Sequence, residues 1–134
     1  MKKGILMLLL ILSAGPIFMY YTLYTTLISP AKEAVKGIQP IAEEVDYWQT
    51  EAETRLRGAG DCEDFSILIG ERYKAEGLPF RFVVIDMGDA EHMVLQVGAY
   101  YIDSVRPKLM RIGRYPAIWS CTYTEMQKIL KSKR

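Results

Sequence analysis

The chain has a single histidine, His92, and two cysteines, Cys62 and Cys121, so its options for chemistry near neutral pH are few. One imidazole excludes a multi-histidine metal centre and makes His92 the natural proton carrier between about pH 5 and 8. A cysteine nucleophile needs a helix amino terminus to favour thiolate, an imidazole to take its proton and a third group to hold that imidazole. Cys62, His92 and Asp103 occur in that order. Each also has a plainer reading: a buried cysteine as a small core residue, a lone histidine as a satisfied polar group, an aspartate at a strand end as a turn residue.

These residues must be positioned by the elements around them. Pro40 at a first helical position, Glu43 and Glu44 behind it, and Ile41, Val45 and Trp48 at helical spacing predict a helix over about residues 40–56, stopped by Gly58 and Gly60. Asp61 then caps a second helix with the stripe Phe65, Leu68, Ile69, Arg72 and Tyr73, which puts Cys62 in its first turn. Gly77 and Pro79 close it. Beyond Pro79 the apolar period drops to two: Phe80 to Asp86 reads as a strand, and His92 to Val97 and Tyr100 to Val105 as a hairpin around Gly98-Ala99. Arg106 to Ile118 has no clear pattern, Trp119 to Tyr123 reads as a last strand, and Thr122 or Thr124 caps a basic helix running to Arg134. Helices followed by a mostly antiparallel sheet give an α+β fold.

The hairpin makes the chemistry specific. A two-residue turn sets Val97 opposite Tyr100 and hence Val94 opposite Asp103, so His92, Val94, Gln96, Tyr101 and Asp103 share one face. His92 and Asp103 become diagonal neighbours. A slip of one residue would send Asp103 to the other face.

Composition narrows the function classes. The chain has 134 residues, enough for one domain, with 17 Lys and Arg against 16 Asp and Glu. From Ser29 onward acids outnumber bases by one, so no general basic field argues for nucleic acid. Two cysteines allow one disulfide at most, and a Cys62–Cys121 bridge would leave His92 and Asp103 without a thiol to serve.

The strings Trp48-Gln49-Thr50, Glu53, Gly58-Ala59-Gly60-Asp61-Cys62-Glu63-Asp64-Phe65, His92-Met93-Val94-Leu95 and Asp103 together resemble the bacterial transglutaminase-like cysteine peptidases, over about residues 46 to 104. The resemblance implies a papain-like or transglutaminase-like fold, a catalytic helix packed on the sheet, with Cys62 as nucleophile, His92 as general base and acid, and Asp103 as the orienting carboxylate. It also implies a protein or peptide substrate and no organic cofactor. The best-known members, of the LapG type, are periplasmic calcium-dependent proteases that release large surface adhesins. Ser104 departs from the pattern, standing where an asparagine-containing segment is expected.

Asp61, Glu63 and Asp64 crowd three carboxylates around a thiol whose pKa they would raise. Capping accounts for Asp61 and Asp64. A hard cation held by all three would neutralise them, and the family's calcium dependence points to Ca²⁺ at Asp61, Glu63 and Asp64. For the oxyanion, the Cys62 backbone N–H is one donor; the Trp48 indole N–H is a second candidate, with a core role as its alternative.

At the amino terminus, Gly4 to Ile28 are 25 consecutive uncharged residues. As a helix they would reach about 37 Å, enough for a bilayer. The expected organisation is a single membrane-spanning anchor within residues 1–28, a juxtamembrane connector over 29–39 and a domain over 40–134 lying outside the cytoplasm. A cleaved signal segment ending near Ser13-Ala14-Gly15 is the alternative. Expected function is thus an anchored cysteine peptidase; transglutaminase-type acyl transfer and a catalytically silent protein-binding module remain alternatives.

Overall fold

The structure, a computed structural model, describes residues 15–43 and 46–133. Helix runs over 15–23, passes through a π-helical stretch, Tyr24–Ile28, and continues as α1, Ser29–Val35. The two-residue strands β1, Gln39–Pro40, and β2, Ala59–Gly60, pair in parallel on either side of α2, Glu51–Arg57. The long helix α3, Cys62–Ala75, leads into β3, Arg81–Asp86, β4, Glu91–Val97, β5, Tyr100–Asp103, β6, Leu109–Arg111, and β7, Ala117–Cys121. The chain ends on α4, Tyr123–Ser132. The larger sheet is antiparallel throughout, in the order β6-β5-β4-β3-β7.

Capping boxes fix where three helices begin. Thr50 and Glu53 start α2, Asp61 and Asp64 start α3, and Thr122 and Glu125 start α4, each side chain bonding the other residue's backbone N–H. Such a box is worth on the order of 1 kcal/mol per cap, and it decides position more than total stability. It is also why the helix expected over 40–56 is only Glu51–Arg57: Thr50 is a better start than Pro40, which joins β1 instead. Glu44 and Val45, part of that expectation, lie outside the described residues.

The hairpin register is the expected one, with Val97 opposite Tyr100 and Val94 opposite Asp103. Gly98, at φ 56°, occupies the first turn position, where positive φ excludes most side chains. Alternation along β3, β4 and β5 gives the sheet two apolar faces. Phe82, Met93, Leu95 and Ile102 pack with Ile67, Ile69 and Tyr73 of α3 in the main core. Val83, Ile85, Val94 and Tyr101 form a smaller cluster with Met110 and Tyr115.

The amino-terminal expectation is overturned. Among the described residues no helix is long and apolar enough to cross a membrane. The distal part of the uncharged run serves the domain's own core: Leu27 and Ile28 are buried there, as are Ala31 and Ala34 of α1, which was expected to be a connector. The Tyr73 hydroxyl donates to the Leu27 carbonyl at 2.6 Å. Burial in the core accounts for Leu27 and Ile28, whereas Ile17, Phe18, Met19, Tyr20 and Tyr21 of the same run are exposed. Residues 1–14, the proximal part of the expected anchor, lie outside the described residues.

Candidate active site

Asp61 builds the mouth of the site. Its Oδ1 accepts from the backbone N–H groups of Glu63 and Asp64, and this leaves Cys62 as the first residue of α3. A first-turn N–H has no carbonyl within its own helix to bond, so the Cys62 amide is available to a developing oxyanion. Gly60 precedes the cap because any side chain would collide there: a Cβ would stand 2.7 Å from Asp64 Cβ.

Asp64 is fully buried and anchors the loop before the helix. Its Oδ1 accepts from the Gln49 N–H at 2.7 Å, and its Oδ2 from Gln49 Nε2 at 2.5 Å and the Asp61 N–H at 3.1 Å. Burial raises its carboxyl above the ordinary range despite these donors. Gln49 is thus the structural partner of this buried acid, a role its place in the sequence does not announce. Its only sequence signal is the polar gap it leaves beside Trp48.

Across the sheet, His92 Nε2 and Asp103 Oδ1 are 3.2 Å apart, both half-buried. The same Oδ1 accepts the N–H groups of Val105 and Arg106. Burial alone would raise the Asp103 carboxyl; the bond and charge of His92, with those two amides, outweigh it and hold the group below its usual value. The three sequence-derived residues are brought to one region by Ser104, whose hydroxyl contacts the Cys62 carbonyl at 3.2 Å and the Met93 carbonyl at 2.8 Å. Met93 follows His92, and Ser104 follows Asp103.

The thiol differs from expectation. Cys62 Sγ donates to Glu63 Oε2 at 3.2 Å, with no hydrogen bond to His92. Burial pushes the thiol up to about 12; the Met93 backbone opposes this, and the nearby Glu63 and Asp61 carboxylates add to it. Burial and the two carboxylates thus work against the thiolate that a helix start would favour. Cys121, buried at the end of β7 opposite Phe82, is also free.

Two further assignments move. The Trp48 indole N–H donates to Asp46 Oδ1 at 2.8 Å, so it is spent, and its ring packs against Trp119 with Lys133 above it. The acid cluster is also composed differently: ligand oxygens of Glu43, Asp61 and Asp64 lie within 4.8 Å of one another, with Glu63 turned to the thiol. Glu43 comes from the loop after β1, where it is held by Arg57 and Gln49. No local spacing could reveal it. Burial, with Glu63 and Glu43 nearby, raises the Asp61 carboxyl to about 6. An all-oxygen set of three acids fits a hard divalent cation, with the rest of a six- to eight-oxygen shell left to carbonyls and water.

No protein-family model matches the chain, and no curated protein matches it. Its fold is similar to that of solved structures of Legionella pneumophila LapG. The calcium-bound form aligns with a TM-score of 0.64 at 21% identity, over 74% of this chain and 65% of LapG. The EGTA-treated form gives the same score and identity, over 74% of this chain and 63% of LapG. The chain thus spans less than two thirds of either LapG chain, and at this identity the likeness establishes the fold. The fold that the resemblance implies agrees with the α+β architecture observed.

Proposed function

We propose that the chain is a transglutaminase-like cysteine peptidase of the LapG type, cleaving a peptide bond in a protein substrate through a thioester on Cys62. The observation that carries this reading is the His92–Asp103 pair at 3.2 Å, on the strands that Ser104 ties to the first residue of α3. A core histidine needs no such partner beside a helix-start cysteine.

The residues divide the work as follows. Asp103, below its usual carboxyl range, stays ionised and holds His92 through Nε2, which leaves Nδ1 for the thiol proton. Because burial disfavours the thiolate, proton transfer accompanies attack: Sγ leaves Glu63, gives its proton to His92 and adds to the substrate carbonyl. The Cys62 N–H faces the oxygen that becomes negative. His92 then protonates the leaving amine, and water attacks the thioester with His92 again as base. Glu43, Asp61 and Asp64 would hold Ca²⁺, which supplies positive charge beside the thiol when bound.

The test is hydrolysis of a quenched-fluorescence casein by the full chain with Ca²⁺ or with chelator. Calcium-dependent release of fluorescence supports the reading. Incorporation of a labelled amine without hydrolysis would make the protein an acyl transferase instead.

A further inference from the structure

From Ser104 to Thr124 the chain carries four cationic side chains, Arg106, Lys108, Arg111 and Arg114, and no acid. Three of these line one groove of about 510 Å³ that starts at Asp103. Its apolar wall includes Met87, Met110 and Tyr115, the last two packed on the smaller core cluster. Among the described residues Lys108, Arg111 and Arg114 have no carboxylate partner; Arg114 lies 5.5 Å over the Tyr115 ring. Asp103, the groove's one acid, is committed to His92 and two backbone amides.

We propose that this groove is a substrate subsite for an extended peptide segment in which carboxylate side chains alternate with apolar ones. The inference rests on the peptidase reading and adds the substrate class. Unneutralised cations around an apolar floor match a ligand that offers both carboxylates and apolar side chains. The cations stand on the Asp103 side of the site, so acidic residues are accepted on that side of the scissile bond. The apolar wall of Met87, Met110 and Tyr115 favours a peptide over nucleic acid, whose phosphates leave such a wall without a partner.

The test uses the full chain carrying Cys62→Ala and two labelled short peptides, one alternating Glu with Leu and one alternating Lys with Leu, read by fluorescence anisotropy. The Glu peptide should bind about tenfold more tightly or better, and the preference should shrink with added salt. Replacing Lys108, Arg111 and Arg114 by Gln should remove about tenfold of that affinity, since exposed charges each contribute modestly. Arg111→Glu with Arg114→Glu should turn the preference toward the Lys peptide, a gain that misfolding cannot mimic. Equal binding of both peptides, a preference that survives the Gln variants, or displacement of the Glu peptide by a thymidine oligonucleotide would each overturn the subsite. Cleavage by the Cys62 chain separates the two ideas. Binding with the stated preference but no cleavage keeps the subsite and removes the peptidase; cleavage with no acidic preference does the reverse.

Discussion

The Ser104 hydroxyl sits 3.2 Å from the carbonyl of Cys62, so the residue after the orienting acid is bonded to the nucleophile's own backbone. It is fully buried and also reaches Met93, which Ser66 contacts at 3.1 Å. Ser104→Ala should therefore cost about 1–3 kcal/mol by thermal unfolding, the range for orphaning buried partners. Hydrolysis should fall through kcat more than KM, because the helix start and the imidazole lose their shared tie. A loss confined to KM would make Ser104 a packing residue only.

Asp103→Asn should leave the fold intact and lower the hydrolytic rate by up to about 10⁴, the size of the effect in the serine analogue. The pH dependence follows from the sign of the shift. A carboxyl held below its usual value contributes stability that is present above about pH 4 and is lost as pH falls through the lowered folded value. Acid unfolding of the Asn variant should accordingly be shallower below about pH 4 than that of the native chain. Superimposable acid profiles would show that the His92 bond does not persist in solution.

Glu43→Gln should weaken Ca²⁺ binding measured by calorimetry while changing the metal-free melting temperature little. Glu63→Gln should leave Ca²⁺ affinity in place. At a hundredfold excess over Kd, Ca²⁺ should stabilise the native chain by about 2.7 kcal/mol. If Glu63→Gln is the variant that loses calcium, the cluster is composed as the sequence first implied.

Tyr73→Phe removes the hydroxyl that satisfies Leu27 and should cost about 1 kcal/mol, and Leu27→Ala about 2–5 kcal/mol as a buried large-to-small change. A chain beginning at Pro40 loses Leu27, Ile28, Ala31 and Ala34 from the core and should melt far earlier than one beginning at Gly15. Equal melting of the two would show that α1 is a connector after all.

What could be read in the sequence was what local rules govern. The two-residue turn at Gly98 sets the ladder that pairs Val94 with Asp103, and Asp61 and Thr122 announce their helices by the acid three residues on. What escaped depends on distant partners. Pro40 looks like a helix start until it is seen pairing with Gly60. Leu27 and Ile28 have the same hydropathy in a bilayer or against α3, and only the tertiary fold decides between them. Glu43 joins Asp61 and Asp64 from a loop whose path no periodicity encodes. The upward push on the thiol was hidden too, because it comes first from burial, which only the tertiary fold sets.

The central claim is that Cys62 is the nucleophile and His92 its base. It is tested most directly by sequencing new amino termini in a bacterial envelope extract treated with the native chain, Cys62→Ala, His92→Ala and Cys121→Ser. New termini should appear with the native chain and with Cys121→Ser, and vanish with Cys62→Ala and His92→Ala while those variants keep their melting temperatures. Cleavage that persists in a folded Cys62→Ala chain, or that depends on Cys121, would contradict the mechanism.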